Sequence, residues 1–134
     1  MKVKIGIIIF TVLPLLAGVS ETIACIGHLK QENWPPHAMF HMFMGLGGLL
    51  ATYGLIIFLT WGPLKRGERW AWYAIGFAAA TVHGGQLVSD VITDGGLRNQ
   101  EAIVAGGSFL IGGIFVILIS YGIGLSLTWS HTKQ

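Results

Sequence analysis

Four apolar stretches, each long enough to cross a bilayer, account for most of this 134-residue chain. They run from about Ile5 to Gly27, Ala38 to Trp61, Trp70 to Val91 and Ala102 to Trp129. A spanning helix needs about 20 mostly apolar residues. In lipid a segment must satisfy its own backbone N–H and C=O groups, which an α-helix does internally. None of the four alternates polar and apolar residues as a barrel strand would. The connections, Lys30 to Pro36, Gly62 to Arg69 and Thr93 to Glu101, are short, and short links make sequential helices antiparallel. The sequence therefore predicts an all-α fold: a single domain forming an integral membrane four-helix antiparallel bundle.

Composition bears on what such a chain can bind. Only 10% of residues are charged and 53% are hydrophobic, against about 25% charged in soluble domains. A net charge of +2 with no basic stripe gives no surface for nucleic acid. One cysteine, Cys25, excludes an intrachain disulfide. The charges also orient the helices. Lys2, Lys4, Lys65, Arg66, Arg69 and Lys133 fall at one end, with Trp61, Trp70, Trp72 and Trp129 beside them. Lys30 and Arg98 fall at the other, with Glu21, Glu32, Asp90, Asp94 and Glu101. The positive-inside rule places both termini in the cytoplasm. The basic, apolar start could pass for a signal peptide, but Glu21 interrupts the run and no A-x-A-like site follows, so the first helix is expected to be retained. Small residues at four-residue spacing are expected to lie at close helix contacts. They are Gly76, Ala80 and Gly84, then Ser108 and Gly112, then Gly47 and Ala51.

The polar residues inside the spans are costly unless paired or hydrated, and so mark a candidate site. Glu21 and His28 share one face of the first helix, with Cys25 between them. His37 and His41 share a face of the second, directly after Pro35 and Pro36; proline suits a helix's first turn, so Pro36 fixes the helix start. His83, Gln86 and Asp90 line one face of the third. A rise of about 1.5 Å per residue puts His83 about 10 Å deeper than Asp90, and Glu21 about 10 Å deeper than His28. Glu21 and His83 then form a deep layer below a funnel that opens to the non-cytoplasmic side.

Three chemistries fit. His37, His41 and His83 with Asp90 or Glu21 form a ligand set for a transition metal, with zinc, copper or iron the matching ions. Alternatively Glu21 is a proton donor or acceptor and His83 its partner, acting on a lipophilic small molecule without metal. Haem between His41 and His83 is a third option, and it would be b-type because no C-x-x-C-H motif exists. An enzyme acting on a hydrophobic small molecule is the leading expectation. The alternative is a non-enzymatic accessory or structural subunit of a membrane complex, alone or as a homo-oligomer. Asp94 before Gly95 and Gly96 reads as a turn. Glu101 reads as a carboxylate favoured in a helix's first turn.

The stretch NWPPHAMFH, residues 33–41, resembles a W-P-P-H-A-x-F-H motif found in a family of small four-span membrane proteins. The resemblance implies shared architecture. It also implies a carboxylate and a histidine near the end of the first span, which Glu21 and His28 match. Those proteins often carry Arg or Lys at the variable position, where this chain has Met39. A more distant analogy, of chemistry alone, is to sterol-isomerase-like membrane proteins, which place carboxylates and a histidine between helices.

Overall fold

The computed structural model describes residues 1–28, 36–92 and 107–132. Four long helices make up nearly all of it, and no strand occurs among the described residues: α1 (Lys2–His28), α2 (Pro36–Leu59), α3 (Arg69–Ile92) and α4 (Gly107–Trp129). α2 does begin at Pro36. It ends in a π-helical turn, Thr60–Leu64. Pro63 within that turn has no N–H for an α-helical bond, and the chain instead closes a wider ring from Lys65 N–H to the Thr60 carbonyl at 3.1 Å. Gly67 then takes a φ of 86°, a left-handed conformation that only glycine adopts without strain, and the chain turns into α3.

Among the described residues three segments are long and apolar enough to cross a membrane: Lys2–Gly27, Met39–Leu64 and Gly112–Trp129. α3 is more polar and falls short of that mark. Large apolar side chains nonetheless stand exposed on every helix, among them Leu16 and Ile23, Phe43 and Phe58, Phe77 and Val88, and Val116 and Ile119.

α1 packs against α2 and α4, and α3 against α2 and α4; among the described residues α1 and α3 have no direct backbone approach, and neither do α2 and α4. Gly6 near the start of α1 meets Thr128 near the end of α4, so those two run in opposite directions. A Cβ built on Gly124 would lie 2.7 Å from the Phe10 ring, and one on Gly6 2.5 Å from Thr128 Cγ2. Gly76 likewise sits against Leu125. Gly47, Gly84 and Gly112 differ from the spacing-based expectation: among the described residues nothing lies within 4 Å of where a side chain would go. Ala51 and Ala80 are exposed, and the Ser108 side chain lies outside the described residues. Four-residue spacing marks a face without saying whether another helix covers it.

The end of the molecule that carries the α2–α3 turn is basic and aromatic. Lys65 lies 4.8 Å over the Trp61 ring and Arg69 4.8 Å over Trp129. The Trp72 indole donates to the Leu125 carbonyl at 2.8 Å, and Trp61 to Thr11 Oγ1 at 2.9 Å. Glu68 accepts from Arg66 at 2.8 Å and from the Trp70 indole at 2.6 Å. Those two bonds, Arg66 first, hold its carboxyl below the usual carboxylate range.

Overpacking a tight contact costs about 1–3 kcal/mol. Gly124→Ala should therefore lower the thermal stability of the purified protein, while Gly54→Ala, which has open space, should leave it unchanged. Equal melting of the two variants would show that the α1–α4 contact is not a tight one.

Candidate functional site

Apolar helices leave few places for polar side chains, and several hydroxyls among the described residues resolve the problem locally. Thr11, Thr22, Thr52, Thr60, Ser120 and Thr128 each donate to the carbonyl four residues earlier, at 2.7–2.9 Å. Such back-bonding satisfies a hydroxyl without a tertiary partner.

His83 has no such local solution. It is only 1% exposed. Its Nδ1 lies 2.9 Å from Oε1 of Gln86, one turn further along α3. The Gln86 amide nitrogen donates to Glu21 Oε1 on α1 at 2.8 Å. A continuous chain therefore runs from the Glu21 carboxylate through a neutral amide to the imidazole. It joins the two helices that share no backbone contact, so it spans their diagonal.

The chain fixes the imidazole's proton. Gln86 turns its N–H toward Glu21, which leaves its carbonyl oxygen facing His83. A carbonyl only accepts, so Nδ1 must be the donor. Nε2 of the neutral ring then carries a lone pair, and it is buried without a hydrogen-bond partner among the described residues.

Two tyrosines flank this ring. Tyr53 of α2 stacks on it with centroids 5.9 Å apart and planes inclined by 24°; Tyr121 of α4 lies 5.7 Å away, tilted by 36°. Phe10 of α1 stacks in turn on Tyr121 at 5.9 Å. The result is a column of four rings, one from each helix, with the imidazole inside it. Both tyrosines are almost wholly buried, and both hydroxyls lack a partner among the described residues.

Glu21 and His83 are linked through the Gln86 amide. The other predicted ligands are placed less fully. His41 stands exposed on α2 beside Phe40, ring centroids 5.5 Å apart. The side chains of His28, His37 and Asp90 lie outside the described residues, as do residues Asp94 and Glu101. Among the described residues no three His, Cys, Asp or Glu side chains come together as a metal site would require. Tyr53 and Tyr121 were not expected in the site. A usable signal existed: both sit well inside apolar spans, whereas membrane tyrosines favour the interfaces.

Beside Tyr53 lies an apolar groove of about 420 Å³ between α1 and α2. Its walls include Leu15, Val19, Ile23, Leu50 and Ile57, with Gly18 and Gly54 making room and Tyr53 supplying an aromatic wall. Comparison with known proteins returns no match: no family model, no curated protein and no solved structure is similar to this chain.

Breaking the polar chain leaves two groups without their partner, at about 1–3 kcal/mol for a lost buried bond. Gln86→Leu should destabilise the purified protein by that amount. Glu21→Gln keeps an oxygen that can accept from Gln86 and should cost less. Denaturation of both variants measures this, and an undiminished Gln86→Leu would remove the chain from the stability account.

Proposed function

We propose that this chain is an integral membrane protein, an antiparallel four-helix bundle with cytoplasmic termini, that holds an acid–base site for a lipophilic small molecule. The observation that carries this reading is the Glu21–Gln86–His83 chain, ending on a buried imidazole nitrogen with a free lone pair. Placement in the bilayer is supported by apolar side chains exposed on all four helices and by one basic, aromatic end, which the positive-inside rule assigns to the cytoplasm.

Chemically, Nε2 of His83 is the atom that takes a proton from the substrate. The imidazolium so formed keeps its Nδ1 proton on the Gln86 oxygen. Gln86 in turn is polarised by the Glu21 carboxylate, which offsets the new positive charge from two hydrogen bonds away. Returning the proton to a different atom of the substrate completes an isomerisation, and no co-reactant is consumed. General acid–base catalysis of this kind typically contributes about 10²–10⁴-fold. The apolar groove beside Tyr53 suits the body of a lipophilic molecule.

The metal-free form of the site is favoured because, among the described residues, no three His, Cys, Asp or Glu side chains come together around His83. A purely structural role for the network is disfavoured by its loose ends. A polar cluster that served only to fix helix packing would satisfy its own atoms, whereas three here are left over.

Proton exchange into carbon tests this across a whole pool of candidate substrates at once. The purified protein is incubated in deuterated water with a total lipid extract, and the lipids are examined by mass spectrometry. The wild type should place deuterium on carbon in a discrete lipid species, and Glu21→Gln and His83→Ala should not. Deuterium patterns identical in all three proteins would refute the acid–base reading.

A further inference from the structure

We infer that the seam between α1 and α2 binds one anionic phospholipid of the cytoplasmic leaflet, its phosphate at Lys65 and Lys4 and an acyl chain in the apolar groove. The inference rests on the bilayer placement proposed above. It asks nothing of the acid–base step and needs no path to His83.

The groove lies on the outside of the bundle. Leu15, Val19 and Ile23 of α1 and Leu50 of α2 line it, and they are between 42% and 64% exposed. Gly54 leaves room within it: among the described residues no atom lies within 4 Å of where its Cβ would go. In a bilayer such a surface meets lipid tails. A hollow there is filled by hydrocarbon, because an empty one would forfeit the dispersion contacts of its walls.

The groove also has the depth of one leaflet. Trp61 is exposed at the basic end, and a tryptophan ring favours the headgroup level. At about 1.5 Å per residue, Ile57 lies about 6 Å and Leu50 about 16 Å deeper than Trp61. Both line the groove. Half of a hydrocarbon core about 30 Å thick is about 15 Å. The groove therefore covers the tail region of the cytoplasmic leaflet and ends near the midplane.

Toward the cytoplasmic end the same seam turns polar, then basic. The Trp61 indole donates to Thr11 Oγ1 at 2.9 Å, tying α2 to α1 one turn beyond the groove. Lys65, a further turn on, holds its ammonium 4.8 Å over the Trp61 ring. Lys4 is exposed and lies seven residues before Thr11, so it shares that face of α1. An ammonium at the Trp61 level stands where a lipid phosphate lies when its chain enters the groove below.

The charge balance makes the head anionic. Glu68 is the one carboxylate at this end among the described residues, and Arg66 and the Trp70 indole already hold it. The Arg66–Glu68 pair is the one ion pair among the described residues, so no carboxylate there answers Lys4 or Lys65. A zwitterionic choline head brings a cation along with its phosphate, whereas an anionic glycerol head does not. The cytoplasmic leaflet is the one that carries anionic lipid, and each lysine near its surface strengthens the attraction about fivefold.

Phosphatidylglycerol and phosphatidylcholine with identical acyl chains test this. Each is titrated onto the full chain in detergent, and bound lipid is read by native mass spectrometry. One phosphatidylglycerol should bind per chain, at least about fivefold tighter than phosphatidylcholine. Lys4→Gln and Lys65→Gln should each weaken phosphatidylglycerol about fivefold and leave phosphatidylcholine unchanged. Lys2→Gln, nine residues from Thr11 and so on the opposite face of α1, should change neither. Gly54→Leu, which fills the groove from a position with open space, should weaken both lipids together. Equal binding of the two lipids would overturn the proposal. So would equal losses in Lys2→Gln and Lys4→Gln, which would mean diffuse charge attraction, or undiminished binding in Gly54→Leu, which would take the acyl chain out of the groove. Displacement of the lipid by inorganic phosphate alone would likewise overturn it, as a site for the free anion. Glu21-dependent deuterium transfer without a phosphatidylglycerol preference would leave the acid–base reading standing and remove only this site. A phosphatidylglycerol preference without deuterium transfer would do the reverse.

Discussion

One buried imidazole organises this protein. An unsatisfied polar group in an apolar interior costs several kcal/mol against hydrocarbon, and His83 sits where all four helices converge. One of its ring nitrogens, Nδ1, has a defined partner. α3 supplies Gln86 to one side, and α1 supplies the carboxylate that orients Gln86. α2 and α4 contribute the rings that enclose it. Each helix is therefore rotated to present one particular residue inward. The polar chain crosses one diagonal of the assembly and the ring column brings in the other.

The backbone makes this possible through close approach at one end. Gly6 and Gly124 let α1 and α4 come together tightly enough for Phe10 to lie against Gly124 and stack on Tyr121. That contact extends the ring column by one member, so the packing near the helix ends and the geometry of the site are mechanically continuous. The π-turn and Gly67 do the corresponding work between α2 and α3. They set where α3 begins, and with it the height at which His83 faces Tyr53.

Much of this was legible in the residues themselves. Hydrocarbon thickness sets the helix length a span needs, so α1, α2 and α4 follow from their apolar runs, while α3 is a helix too polar to meet that mark. Glu21 and His83 stood out because a titratable group is costly within an apolar run, and Gln86 because it shares a face of α3 with His83. Tyr53 and Tyr121 were not, since a phenol passes for an apolar ring until its hydroxyl is seen to lack a partner. The rows at Gly47 and Gly84 misled for a related reason: small side chains suit both a tight helix contact and a face that nothing covers. The indirect link between Glu21 and His83 was also beyond pattern reading. Which helices touch depends on rotation and tilt, and sequence spacing constrains neither across a diagonal.

The central claim is that Gln86 forces the His83 proton onto Nδ1 and leaves Nε2 as a free acceptor. Isotope-edited NMR of the histidine ring nitrogens in the purified protein at neutral pH reads this directly. The account predicts a protonated Nδ1 and an unprotonated Nε2 for His83, with that preference lost in Gln86→Leu. A proton on Nε2 with Nδ1 bare, or a fully protonated imidazolium, would contradict it.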